Sequence, residues 1–129
     1  MILGVVNSDL EATVRLTVRG SDGQTRRITA VIDSGSDGFL CLPLTIIEEL
    51  GLPWKARTGA ELADGSETEF DTYRGIVIWD RRRCPIDVDA SNSAPLVGTA
   101  LLANFEMKAQ FRPGGKVTIK PLRGRRFSN

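Results

Sequence analysis

The sequence contains no histidine. That absence removes Ser-His-Asp and Cys-His nucleophilic catalysis, the common histidine-ligated zinc sites and any imidazole general base. Cysteine is scarce too. Cys41 and Cys84 are the only two, with neither metal-type spacing nor a disulfide framework, so they read as reduced small hydrophobes. No excess of either charge exists, the formal net charge being +1, which predicts neither a nucleic-acid nor a membrane partner. No apolar run approaches the roughly 20 residues of a membrane span. The opening Met1-Ile2-Leu3-Gly4-Val5-Val6 lacks the basic start and long apolar core of a secretory signal. A cytoplasmic protein, made independently from its own Met1, is the expectation. Its chemistry must rest on carboxylates, lysines, the single tyrosine or backbone groups.

What is present suits one folded domain. A chain of 129 residues, 41% hydrophobic and 26% charged, is ordinary for a soluble globular unit and leaves little room for two. Ala12, Val14, Leu16 and Val18 alternate with Thr13, Arg15, Thr17 and Arg19, the period of a half-buried strand. Gly20-Ser21-Asp22-Gly23 follows as a turn, and Arg27 to Ile32 reads as the partner strand. Phe39 to Leu42 is a short apolar strand. Pro43 opens a helix at its first position, Ile46, Ile47 and Leu50 give that helix an apolar face, and Gly51 closes it. Ala60 to Ala63 and Glu67 to Trp79 flank Asp64-Gly65, a strong hairpin signal. Ile86 to Val88 is another strand, and Leu101 to Phe105 a helical turn after Gly98. Met107 to Phe111 and Lys116 to Lys120 flank Pro113-Gly114-Gly115 as a closing hairpin. Many short strands with one or two short helices predict an all-β, barrel-like domain. Residues 1–122 form that domain and residues 123–129 a flexible basic tail. Arg81-Arg82-Arg83 reads as an exposed turn rather than a nucleic-acid site. Trp54, Trp79 and Tyr73 read as core or interface aromatics.

The stretch that asks for an explanation is AVIDSGSDGFLCLP, residues 30–43. An apolar strand ends on a carboxylate, Asp33, and small residues follow before a second acid, Asp37. The run partly fits a calcium loop, but Gly35 stands at its third position and Leu44 where a bidentate Glu is needed. No lysine follows the glycines as a phosphate loop requires, and Ser34 stands where a serine nucleophile elbow needs its first glycine. Two readings remain. One is an Asx-type turn in a hairpin. The other is a carboxylate working as acid and base, in which Gly35 allows a tight turn and close approach of a ligand. The hydroxyls of Ser34 and Ser36 would then tie the turn down or donate to the carboxylate. Apolar strands on both sides favour the second reading, since a surface turn needs neither.

Val31-Ile32-Asp33-Ser34-Gly35-Ser36 resembles the catalytic D-T/S-G-A/S signature of the retropepsin-like aspartic proteases. Pro95-Leu96-Val97-Gly98-Thr99-Ala100-Leu101-Leu102 resembles the apolar-apolar-Gly stretch that packs behind the catalytic loop in that family and leads into a short helix. The Asp64-Gly65 hairpin occupies the place of the family's flap. The three elements, in this order, cover nearly the whole chain.

The resemblance implies a closed barrel with a flap hairpin and one or two short helices, acting as a symmetric homodimer. Each chain carries one D-S-G, so the second aspartate comes from a second copy. Asp33, Ser34 and Gly35 would be catalytic, with Ser34 knitting the two loops together and Gly35 lying against the substrate backbone. Ser36, Asp37, Asp64, Gly65 and Ser66 would bind substrate, the last three as the flap tip over an extended peptide. The Ser36 hydroxyl would bond the outer oxygen of Asp33 and favour its charged form, moving the active range toward acid. Val97 and Gly98 would support the loop. The implied activity is that of an aspartic endopeptidase on peptide or protein substrates, without metal or organic cofactor. One departure stands out: Gly98-Thr99-Ala100 lacks the arginine that pairs with the acid matching Asp37 in retroviral members, leaving Arg112 or another basic residue to substitute. The apolar Met1 to Val6 is a candidate interface strand. Two other readings compete: a retropepsin-like dimer that binds a peptide or protein partner without cutting it, and a small monomeric β domain with an incidental D-S-G turn.

Overall fold

The computed structural model describes residues 1–123. Apart from Arg123, the predicted basic tail therefore lies outside the described residues. Ten strands and two short helices follow in the order β1 (Ile2–Val6), β2 (Ala12–Arg19), β3 (Thr25–Ile32), β4 (Leu40–Pro43), α1 (Leu44–Leu50), β5 (Trp54–Glu61), β6 (Glu67–Trp79), β7 (Arg82–Ser91), β8 (Leu96–Val97), α2 (Thr99–Leu102), β9 (Phe105–Ala109) and β10 (Lys116–Pro121). The all-β expectation holds, with both helices short. No helix among the described residues is long and apolar enough to cross a membrane.

All the strands join one mixed sheet, in the order β5-β6-β7-β4-β8-β3-β2-β1-β10-β9. β2 explains how it folds back on itself. One edge of β2 pairs with β3 along residues 13–19, while its other edge is shared, by β1 at Ala12–Val14 and by β6 at Thr17–Arg19. The alternation read in β2 delivers its inward side: Val14, Leu16 and Val18 are buried together with Val77, Val88, Leu40, Leu42 and Ile47. Burying such a side chain contributes about 1.5–3 kcal/mol, which is why register is firmly set here.

Several boundaries move. Pro43 is still extended, at φ −61° and ψ 145°, and stands before the helix rather than at its first position, because it completes β4 beside β7. Gly51 closes α1 as expected, in the left-handed region at φ 62°. The strand expected over Ala60 to Ala63 instead starts at Trp54 and ends at Glu61, since its pairing with β6 runs from Trp54↔Tyr73 to Glu61↔Glu67. The Ile86 to Val88 strand lengthens to Arg82–Ser91 through two partners, β6 and β4. The helical turn begins at Thr99 and stops at Leu102; Asn104 turns left-handed at φ 69°, and Phe105 opens β9. β9 accordingly sits two residues earlier than Met107 to Phe111, because the turn bond from the Gln110 N–H to the Lys116 carbonyl (3.0 Å) ends the ladder. Arg81 does lie in a turn, with Asp80 and Arg81 at φ 50° and 69°, whereas Arg82 and Arg83 begin β7.

The candidate interface strand at the N-terminus has both edges paired within the chain, with Leu3 and Val5 exposed on one face. β1 pairs with β10 on one side and β2 on the other within the same chain. Trp79 is buried and Tyr73 half-buried, while Trp54 is exposed, its indole N–H donating to Asp71 Oδ1 at 3.1 Å. Both cysteines are free thiols.

Candidate active site

Asp33 follows the last residue of β3, and its backbone is tied at once to the strand beside it. Its N–H donates to the Val97 carbonyl at 2.9 Å, and its carbonyl accepts the Ser36 N–H at 3.1 Å, closing a tight turn. The Gly35 N–H donates to Asp33 Oδ1 at 2.9 Å. A Cβ at residue 35 would stand 3.3 Å from that same oxygen, so the glycine leaves the carboxylate room to be held by backbone alone.

Behind this turn, β8 is wedged between β3 and β4. Val97 lies opposite Ile32 on one side and Leu40 on the other, and is fully buried. The next three residues clamp the loop through consecutive backbone bonds. The Gly98 N–H donates to the Phe39 carbonyl (3.1 Å), the Thr99 N–H to the Ser36 carbonyl (2.8 Å) and the Ala100 N–H to the Gly38 carbonyl (3.1 Å). The Thr99 hydroxyl adds a second bond to the Ser36 carbonyl at 3.2 Å. Such closeness demands glycine: a Cβ at residue 98 would lie 2.3 Å from the Gly38 carbonyl oxygen.

A groove of about 440 Å³ opens at this loop, lined by Asp33 and Ser34 together with Leu10, Leu96, Met107 and Phe111 among others. On the other side of the loop stand Cys41 and Asp89, opposite one another in the β4–β7 ladder. Burial, then the nearby Asp89 charge, pushes the Cys41 thiol up, with Asp33 adding to it; the Ser36 hydroxyl at the sulfur opposes the shift. Burial likewise raises the Asp89 carboxyl, against the stabilising Thr72 hydroxyl, and the charges of Asp87 and Asp37 add to the rise. Thr72 donates to Asp89 Oδ1 at 2.9 Å and its oxygen lies 2.8 Å from that of Thr58. A hydrogen-bonded chain thus crosses β5, β6 and β7 to the loop, where a Cβ on Gly38 would meet Asp89 Oδ2 at 3.1 Å.

Asp33, Ser34, Gly35, Ser36, Val97 and Gly98 therefore come together. Asp37 lies beside them, exposed. Among the described residues its carboxylate takes part in no salt bridge, with Arg112 or any other base, and its charged neighbour is Asp89. The bond expected from the Ser36 hydroxyl to Asp33 is supplied by the Gly35 N–H instead, and that hydroxyl faces Cys41. Asp64, Gly65 and Ser66 stand apart at the tip of the β5–β6 hairpin, where residues 59–69 are exposed. The tip is a self-contained turn: the Leu62 carbonyl accepts the Gly65 N–H at 2.9 Å, Gly65 has φ 87°, and Asp64 Oδ1 accepts both donors of Ser66. Those two bonds hold the Asp64 carboxyl below its ordinary range. Asp89 and Thr72 escaped the sequence reading. The signal available was only a polar residue inside each long strand, and the cross-strand register alone puts Thr72 opposite Asp89.

No family model and no curated protein matches this sequence. Among solved structures, it is similar to the crystal structure of a retropepsin-like aspartic protease from Rickettsia conorii, with a TM-score of 0.56 and 16% identity over 92% of this chain and 89% of that one. The fold is retropepsin-like. The solution structure of the simian foamy virus (mac) protease also matches, at a TM-score of 0.48 and 20% identity, over 68% of this chain and 90% of that one. In this retropepsin-like chain the D-S-G turn stands at the end of β3, backed by β8 and the start of α2.

Proposed function

We propose that this chain is an aspartic endopeptidase, a closed barrel that works as a symmetric homodimer and cleaves peptides bound as extended strands. The observation that carries the reading is Asp33 itself: a carboxylate at the rim of an open groove, its backbone bonded to β8 and one oxygen held by the Gly35 N–H. A fixed carboxylate facing open space suits acid–base work, whereas an incidental turn needs no such backing. The likeness in fold to the Rickettsia conorii protein supports the same reading.

In this mechanism Asp33 and its counterpart in a second copy share one proton, because two adjacent like charges cannot both ionise. The ionised carboxylate takes a proton from water as the oxygen attacks the scissile carbonyl carbon, and the protonated one donates to the carbonyl oxygen. Collapse of the tetrahedral species breaks the C–N bond, the amine leaving with a proton from the dyad. Ser34 ties the two loops together, and Gly35, Ser36 and Asp37 bind the peptide main chain. Asp64, Gly65 and Ser66 form a flap tip that closes over it. Val97 and Gly98 hold the loop in place.

Cleavage of a diverse peptide mixture at acidic to neutral pH, read by mass spectrometry, tests this directly. Wild-type protein at high concentration is expected to cut, and Asp33→Asn to lose at least about 100-fold of the rate without loss of fold. Equal cutting by both would overturn the reading. Equal peptide affinity with no cutting by either would favour a partner-binding dimer instead.

A further inference from the structure

Two hairpins meet away from the Asp33 loop, and their registers decide what stands between them. β6 turns into β7 through Asp80-Arg81 alone, both left-handed at φ 50° and 69°. That two-residue turn puts Trp79 opposite Arg82, and residues opposite one another in a ladder share a face. A cation therefore stands on the same side of the sheet as the indole. In the second hairpin Phe105 lies opposite Pro121 in the same way. The Leu122 N–H closes that end by donating to the Asn104 carbonyl at 2.9 Å. Trp79 and Phe105 join the two hairpins edge-on, with ring centroids 6.0 Å apart.

Beside this aromatic pair lies a cavity of about 550 Å³, a size that takes a small organic molecule. Trp79, Phe105, Pro121 and Leu122 give it an apolar body, and Asp80, Arg82 and Asn104 add polar groups. It shares no lining residue with the groove at Asp33.

Two of its donors lack partners. Trp79 is only 3% exposed, and its indole N–H has no acceptor among the described residues. A buried donor left so is costly and uncommon in native folds. Arg82 takes part in no salt bridge among the described residues. Asp80 would repel an anion, but its charge is already answered: Oδ1 accepts from the Met1 ammonium at 2.7 Å. The charge left over at the cavity is positive.

We infer that this cavity binds a small carboxylic acid with an apolar body, its carboxylate paired with the Arg82 guanidinium. A planar guanidinium suits a carboxylate, and a charged acceptor makes the stronger hydrogen bond. One carboxylate oxygen also takes the Trp79 indole N–H, which shifts slightly to meet it because Nε1 is covered in the fold as it stands. The apolar body lies against Phe105, Pro121 and Leu122. This site stands apart from the peptidase reading and needs neither Asp33 nor a second copy.

Proton–nitrogen correlation NMR at neutral pH tests it, using the full chain with Trp54→Phe so that Trp79 is the one remaining indole. Trp54 is exposed and does not line the cavity. The probes are octanoate and naphthoate, each set against the alcohol of the same carbon skeleton. At least one acid is expected to move the indole proton downfield, saturably and below millimolar concentration. It is expected to bind about tenfold or more tightly than its alcohol, and the tighter acid tells an alkyl ligand from an aromatic one. Arg82→Gln is expected to erase that preference while alcohol binding and melting temperature stay unchanged. Asp33→Asn is expected to leave acid binding intact, so failure of the peptidase reading does not touch this one. No saturable movement with either acid, or acid binding indifferent to Arg82→Gln, overturns the proposal. So does an indole proton already downfield and held by a trapped water, since the donor then needs no ligand.

Discussion

Gly98 concentrates the demands of the site in one residue. Its N–H bonds the Phe39 carbonyl, and the backbone of the Asp33 loop passes so close that a Cβ would meet the Gly38 carbonyl oxygen at 2.3 Å and the Ser36 carbonyl oxygen at 2.9 Å. Neither neighbour is a flexible side chain, so the loop itself must move. Gly98→Ala is therefore expected to cost roughly 3 kcal/mol, measured by urea unfolding. It should reduce any Asp33-dependent cleavage even under conditions where the variant remains folded. A loss below about 0.5 kcal/mol would mean the loop yields freely. At this scale the sequence was legible where chemistry is local. Asp33, Ser34 and Gly35 are consecutive, and a turn of consecutive residues brings its own partners. The Ser36 bond was misplaced because the choice between Asp33 and Cys41 depends on β4, which spacing along the chain does not place.

Strands decide what reaches the loop. The Thr58–Thr72–Asp89 chain joins β5, β6 and β7, and carries the hairpin base to the back of the Asp33 turn. Asp89 in this chain has a carboxyl raised mainly by burial. The fold thus favours its protonated form. That contribution is fully present below the ordinary carboxylate range and is lost as pH rises through the raised value. Asp89→Asn keeps an acceptor for Thr72 and never ionises. Its melting temperature relative to wild type is expected to improve from acidic to neutral pH; a gap constant across that range would contradict the raised carboxyl. Elements with clear periodicity or clear punctuation, such as β2 and the end of α1 at Gly51, were readable from the sequence. β8 was not, because two residues carry no period. It nonetheless organises the site, pairing parallel to β3 and antiparallel to β4.

At the scale of the whole molecule, the groove beside Asp33 opens to solvent at the end of the sheet. An enzyme assembled from two such halves must obey mass action. Below the dimer dissociation constant, cleavage per chain is expected to fall in proportion to concentration, and therefore total rate with its square. A dilution series of the full chain at fixed peptide checks this, and a constant rate per chain well below that dissociation constant would point to a monomeric catalyst.

The sequence by itself determined which catalytic groups this protein lacks. Without histidine and with one D-S-G after an apolar strand, carboxylate chemistry on a β scaffold was favoured over an incidental Asx-type turn, and short-range hydrophobic alternation carried the scaffold. Only the tertiary structure decided which edges are closed. Among the described residues, both edges of β1 are paired within the chain, β9 has one edge open, and Asp89 stands at the back of the Asp33 loop. Those are pairings between residues far apart in the chain, and their register is set by which apolar faces can be buried together, a choice the whole core makes at once.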